Sequence, residues 1–177
     1  MTLRGSPGTI IDGNGQGTPL TIAAPNVTVS DLLIRNSGAN LTDLDSAIFI
    51  ASDAHDAHIH DNRIQARGFG VWIDKASDVL VERNRITGDS TIRSQDRGNG
   101  IHLHNVNGAM IRDNTVCQAR DGIYINVSNH NTLASNRLCN QRYGIHYMYS
   151  NSNTVRNNHS WGNRTGYALM QSTKLKI

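Results

Sequence analysis

Three side chains suited to a soft metal lie near the end of this 177-residue chain: His146, Met148 and Met170. His146 and Met148 are two residues apart, so on a strand they project from one face. Met170 follows Met148 by 22 residues. An imidazole beside two thioethers suits Cu(I) and little else among common metals, which makes copper the cofactor to expect. The same side chains would also serve as an apolar contact patch for a protein partner. Two further pairs, His58/His60 and His102/His104, each set two imidazoles about 6.5 Å apart on one strand face. His102 and His104 are the secondary metal candidates, against the plainer reading of a solvated face.

Carboxylates offer a different chemistry. Asp53, His55 and Asp56 cluster in Asp53-Ala54-His55-Asp56, which is similar to the Asp-Pro-His-Asp motif of alginate C5-epimerases, with Ala54 in place of Pro. An epimerase or lyase acting on a uronate polysaccharide needs a base, an acid and a cation to neutralise the substrate carboxylate. Arg35, Arg63 and Arg67 are the cations in reach of that reading. Asp43 and Asp45 are another close pair of the kind glycoside hydrolysis uses. Against both stands the tolerance of rung corners for Asp and His. No acidic ladder for calcium is evident. Gly13, Gly15 and Gly17 open no helix that would hold a phosphate.

The elements that must position these residues follow from an internal repeat. Asn62, Asn84, Asn114, Asn136 and Asn158 recur in an apolar-x-x-Asn-x-apolar frame, at steps of 22, 30, 22 and 22 residues. Gly70, Gly100, Gly122, Gly144 and Gly166 each open a Gly-apolar-x-apolar strand at steps of 30, 22, 22 and 22. The residues one and three after these glycines, from Val71/Ile73 to Tyr167/Leu169, are all apolar or aromatic. Ile48/Ile50 after Ala47 extend the series. Period-two alternation means strands, and no stretch holds helical spacing over three turns.

Short strands at a fixed period bury a core only by stacking copy upon copy. The expected fold is therefore all-β: a right-handed parallel β-helix of about 22 residues per rung, with an Asn ladder. Its six or seven rungs would make a column about 30 Å long. The ladder gives a use for the 20 Asn in the chain, whose side chains can bond to one another along the stack. The intervening row Phe49, Trp72, His102, Tyr124 and His146 is expected to face outward.

Departures from the period carry information too. Ser37 to Ser46 and Gly88 to Asn99 are extra residues at the same corner, two rungs apart, and should protrude together from one side. Cys117 and Cys139 are one rung apart, about 4.8 Å between Cα atoms. That is within disulfide range, but in-register stacking favours two thiols as packing residues. The chain reads as one β-helix segment, 1–177, cut from a longer protein. It opens in a strand-like segment, and Ile177 falls three short of the next ladder position.

Composition removes several classes. The longest apolar runs are a few residues, so no membrane-spanning helix is present. No signal peptide opens the chain. The net charge is +3, from 14 Arg and 3 Lys scattered without a run, and nucleic acid is not an expected partner.

The last third carries a family resemblance. Arg120-Asp121-Gly122-Ile123-Tyr124, Gly144-Ile145-His146-Tyr147-Met148-Tyr149-Ser150 and Gly166-Tyr167-Ala168-Leu169-Met170 resemble the NosD family. Leu3-Arg4-Gly5, Ile11-Asp12-Gly13 and Ile34-Arg35-Asn36-Ser37-Gly38 are similar to its N-terminal half. The resemblance implies a periplasmic scaffold rather than an enzyme. Its implied partners are an ABC-type membrane subunit and ATPase, a copper chaperone lipoprotein and nitrous-oxide reductase, whose copper–sulfide site the family helps assemble. It also implies that His146, Met148 and Met170, which lie in the family-specific segments, meet copper.

Overall fold

A computed structural model describes residues 1–177 and contains 21 short strands and a single 3-10 turn, Ser94–Asp96. The strands form three seven-stranded sheets, and every pairing is parallel. The first sheet runs from Thr2–Arg4 to Thr154–Arg156, the second from Ile10–Asp12 to His159–Trp161, and the third from Leu20–Ile22 to Thr165–Met170. Each turn of the chain contributes one strand to each sheet. The molecule is thus a parallel β-helix of seven rungs.

The strands form because their alternation matches the pleat. In the first two sheets the middle residue of each three-residue strand points inward. Ile59, Val81, Ile111 and Leu133 stack in one column, and Ile64, Ile86, Val116 and Leu138 in another. The third sheet supplies two inward residues per rung, such as Val71/Ile73, Ile101/Leu103 and Ile123/Ile125. Together these make one continuous core of 33 buried residues. The inward pairs expected from the repeat occupy that core from Ile48/Ile50 to Ile145/Tyr147, whereas in the last rung Tyr167 only packs against it and Leu169 is 41% exposed.

Asparagine holds the corners in two ways. At the corner between the first and second sheets, Asn114 Oδ1 accepts from the backbone N–H and Nδ2 of Asn84, at 3.0 and 3.1 Å. Asn114 Nδ2 donates in turn to Val81 O and Asn136 Oδ1. The ladder runs from Asn62 through Asn158 and ends on the Leu32 N–H, which donates to Asn62 Oδ1. Each buried amide is satisfied by its neighbours, which is what makes a polar column tolerable in a core. Asn36, Asn105, Asn140 and Asn157 serve differently, turning corners at φ of 54°, 53°, 57° and 55°, a region Asn tolerates. Two shorter ladders lie between the third and first sheets. Ser128 N–H donates to Ser150 Oγ and Ser150 N–H to Ser172 Oγ, while Asn131 N–H donates to Asn153 Oδ1.

Two expectations are corrected. Cys117 and Cys139 form a disulfide, with Cα atoms 4.6 Å apart. Stacking brings successive rungs inside the Cα separation a disulfide spans, so register itself allows the bond. The row from Trp72 to His146 points away from the column, as expected, yet is not solvent-facing. Trp72, His102 and His146 are each only 7% exposed. The reason lies in the two insertions.

Candidate functional site

Ser37 to Ser46 and Gly88 to Asn99 both leave the helix at the corner between the second and third sheets. They pack close to the column because that corner lacks side chains. A Cβ on Gly68 would collide with Asp45 O, and one on Gly98 with the Gly68 backbone. From there Leu41 and Leu44 of the first insertion and Asn99 of the second wall a cavity of about 420 Å³ against the outer face of the third sheet.

That face is a stack of rings in register. Trp72 pairs with His102, His102 with Tyr124, and Tyr124 with His146 on successive strands. Their ring centroids are 3.8, 4.6 and 4.7 Å apart, and Phe69 meets Trp72 edge-on at 4.7 Å. Such contacts add to what burial alone supplies, so the row is a rigid wall.

Polar groups are set into it. The Asn99 amide donates to His102 Nδ1 at 3.1 Å, leaving Nε2 to carry the His102 proton. Burial pushes the His102 imidazolium down to about 3, with His104 adding to the effect, so this ring is neutral at physiological pH. His146 Nδ1 lies 2.9 Å from Asp121 Oδ2. Asp121 also takes two hydrogen bonds from the Arg142 guanidinium, at 2.8 and 2.6 Å. Burial alone would raise the Asp121 carboxyl, but the bonds from Arg142 and His146 outweigh it and hold it below the usual carboxylate range. An ionised Asp121 therefore accepts the His146 Nδ1 proton, which fixes the ring and leaves Nε2 as the nitrogen without a protein partner.

The sequence candidates fall in several places. Met148 and Met170 are in register on adjacent strands, and Met148 shares a strand and face with His146. Met148 is half-buried and Met170 is 41% exposed. His104 is engaged at 3.3 Å with Asn126. His58 and His60 lie on the first sheet, within an ion network: His58 with Glu82, His60 with Asp61, and both carboxylates with Arg83. Asp53, His55 and Asp56 form an exposed turn leading from the third sheet to the first, where His55 Nδ1 meets Ser77. Arg35 and Arg63 lie instead on the second sheet, and Arg67 just beyond it. None of these three arginines belongs to the Asp53–Asp56 turn. No three His, Cys, Asp or Glu side chains converge in a metal-holding group, so a copper contact would need the thioethers.

The sequence placed Trp72, His102, Tyr124 and His146 in one outward row but gave no such role to Arg120, Asp121 and Arg142, which line the same cavity. Arg120 and Arg142 are one 22-residue step apart, and Asp121 precedes His146 by 25, one period plus three. That offset was the signal available, and a search for identical repeats passes over it.

Fold and site together define a right-handed parallel β-helix with a walled, aromatic cavity on one face. A family model described as "Right handed beta helix region" matches residues 7–116, and one described as "Periplasmic copper-binding protein (NosD)" matches residues 82–177. The chain belongs to the NosD family. It is 48% identical over 122 residues to the "Probable ABC transporter binding protein NosD" of Pseudomonas aeruginosa, and 50% identical over 122 residues to that of Stutzerimonas stutzeri. Each match takes in 69% of this chain and 28% of the relative, so the chain spans about a quarter of the length of these proteins. Among solved structures, DFA-IIIase from Arthrobacter chlorophenolicus A6 in complex with GF2 superposes with a TM-score of 0.57 at 14% identity. That match covers 81% of this chain and 44% of the enzyme, and concerns the fold alone.

Proposed function

We propose that this chain is a section of a periplasmic binding protein of an ABC-type system, and that it contacts copper through His146, Met148 and Met170. The observation that carries the metal assignment is the His146–Asp121 pair. A carboxylate that takes the Nδ1 proton orients the ring and raises the basicity of Nε2, which is how proteins prepare a histidine ligand. His146 Nε2 has no protein partner. The Met148–Met170 register pair beside it adds two soft donors of the kind Cu(I) prefers. The descriptions of the family and of the two relatives, copper-binding and ABC transporter binding, point the same way.

Within the whole protein we place this section as a scaffold that receives Cu(I) from a chaperone lipoprotein and presents it during copper–sulfide site assembly in nitrous-oxide reductase. The membrane subunit and ATPase would engage other parts of the protein. Competition titration with a Cu(I) chelator tests the metal assignment. The parent should bind Cu(I), and a His146→Ala/Met148→Ala/Met170→Ala variant with unchanged circular dichroism should not. Equal binding by the two would refute it. Capture of the reductase and the chaperone from periplasmic extract, with and without Cu(I), tests the scaffold role.

A further inference from the structure

We propose that the cavity over the third sheet binds a single carboxylate carried on a ring, held by Arg120, Trp72 and His102. Seven buried side-chain nitrogen or oxygen atoms in the protein lack a hydrogen-bond partner. Five of them belong to residues that line this one cavity: Trp72 Nε1, Asn99 Oδ1, His102 Nε2, Arg120 Nε and His146 Nε2. Leaving such an atom unpaired costs about 1–3 kcal/mol, and native proteins hold only a few per hundred residues. A cluster of five in one place marks groups held ready for a ligand.

Their chemistry sets the ligand class. Trp72 Nε1–H and Arg120 Nε–H can only donate, and His102 Nε2 carries its proton because Nδ1 accepts from Asn99. Of the five atoms on these lining residues, three are donors and two are acceptors. The charges agree. Arg120 and Arg142 line the cavity with one carboxylate, Asp121, and Asp121 is fully engaged by Arg142 and His146. Arg120 is thus a cation without a counter-ion, and one negative charge completes the set. Leu41, Leu44 and Phe69 supply apolar wall for a ring, and about 420 Å³ is within the range of small-ligand pockets. Asn99 Oδ1 would accept from a ligand hydroxyl, so a sugar acid and an aromatic acid are both sources of the same chemistry.

Entry requires movement. Water does not reach the five atoms, so part of the wall, which includes the Leu41–Leu44 segment, must yield as the ligand enters. Leu44 sits at φ 59°, a left-handed conformation costing a Leu about 1–2 kcal/mol, which makes this segment the strained part of the wall.

The test uses Trp72 as its reporter. The protein has two Trp, and Trp161→Phe removes the one outside the cavity. Fluorescence of that protein is titrated with benzoate, glucuronate and benzyl alcohol, with a metal chelator present throughout. Saturable binding of either acid is expected, with benzyl alcohol weaker by about tenfold, the worth of one charge-assisted hydrogen bond. Which acid binds more tightly identifies the source. Arg120→Gln should weaken the acid by about tenfold and Arg120→Lys by less. Leu44→Trp, read by calorimetry, should block binding by filling the cavity mouth. The proposal is overturned if neither acid saturates, or if the acid binds Arg120→Gln or Leu44→Trp as tightly as the parent. Because copper is excluded, failure here leaves the metal assignment standing, and loss of the metal assignment leaves this one.

Discussion

Asp121 and His146 are 25 residues apart in sequence and 2.9 Å apart in space, joined from carboxylate to imidazole Nδ1 across adjacent rungs. Arg142 grips the same carboxylate from the rung above at 2.6 Å, and the Asp121 side chain is 1% exposed. Substituting Asp121→Ala therefore leaves a guanidinium without its partner, and a loss of about 3 kcal/mol is expected in urea unfolding. In Asp121→Asn, His146 keeps a neighbour but loses its anionic orienter. Cu(I) affinity in the chelator assay should then fall by about tenfold or more with the fold retained.

Two of the buried ionisable groups, His102 and Asp121, act in different pH windows. His102 has its folded value depressed to about 3, against 6.5 unperturbed. The unfolded chain thus binds the extra proton first, and stability falls as pH drops below 6.5, with a limiting slope of about 1.4 kcal/mol per pH unit. Asp121 is held below 3.8, so its contribution is present above that pH and disappears only as pH falls through the folded value. Chemical unfolding from pH 7 to pH 4 should show a shallower loss in His102→Gln than in the parent. Identical slopes would mean that His102 is not the titrating group.

Asn114→Ala should be more costly than its exposed look-alikes. It removes the acceptor for Asn84 and the donor to Val81 and Asn136 in one step, about 3 kcal/mol when buried partners are left unmet. Asn158, half-buried at the end of the ladder, should cost less. Hydrogen exchange at the Asn84 amide reports the break directly, and should accelerate in the Asn114 variant alone.

The disulfide closes a loop of 22 residues. A Cys117→Ser/Cys139→Ser variant should lose about 3 kcal/mol. Adding reductant to the parent should bring its denaturation midpoint toward that of the variant. No change in either case would mean that the bond is thermodynamically silent.

A repeat is a statement of register, and register was legible in the sequence. The spacing of Asn62, Asn84, Asn114 and their successors, 22 residues with one step of 30, allows only a stacked, parallel solution, and the alternation after each Gly says which side chains enter the core. The same spacing put Met148 under Met170 and Cys117 under Cys139. It could not say whether the two thiols bond, because that depends on side-chain aim rather than on period.

The site was less legible because its decisive parts break the repeat. Trp72, His102 and His146 were readable as one outward row, but their burial is imposed by Leu41, Leu44 and Asn99, which lie in insertions with no copy elsewhere. Asp121, Arg120 and Arg142 matter through what they meet across rungs, at an offset of one period plus a few residues. Sequence alone determined the column, since periodic apolar residues have one way to leave water together. Tertiary structure decided the chemistry: packing the two insertions over the third sheet stripped water from a row of polar rings and left several of their polar atoms without a protein partner.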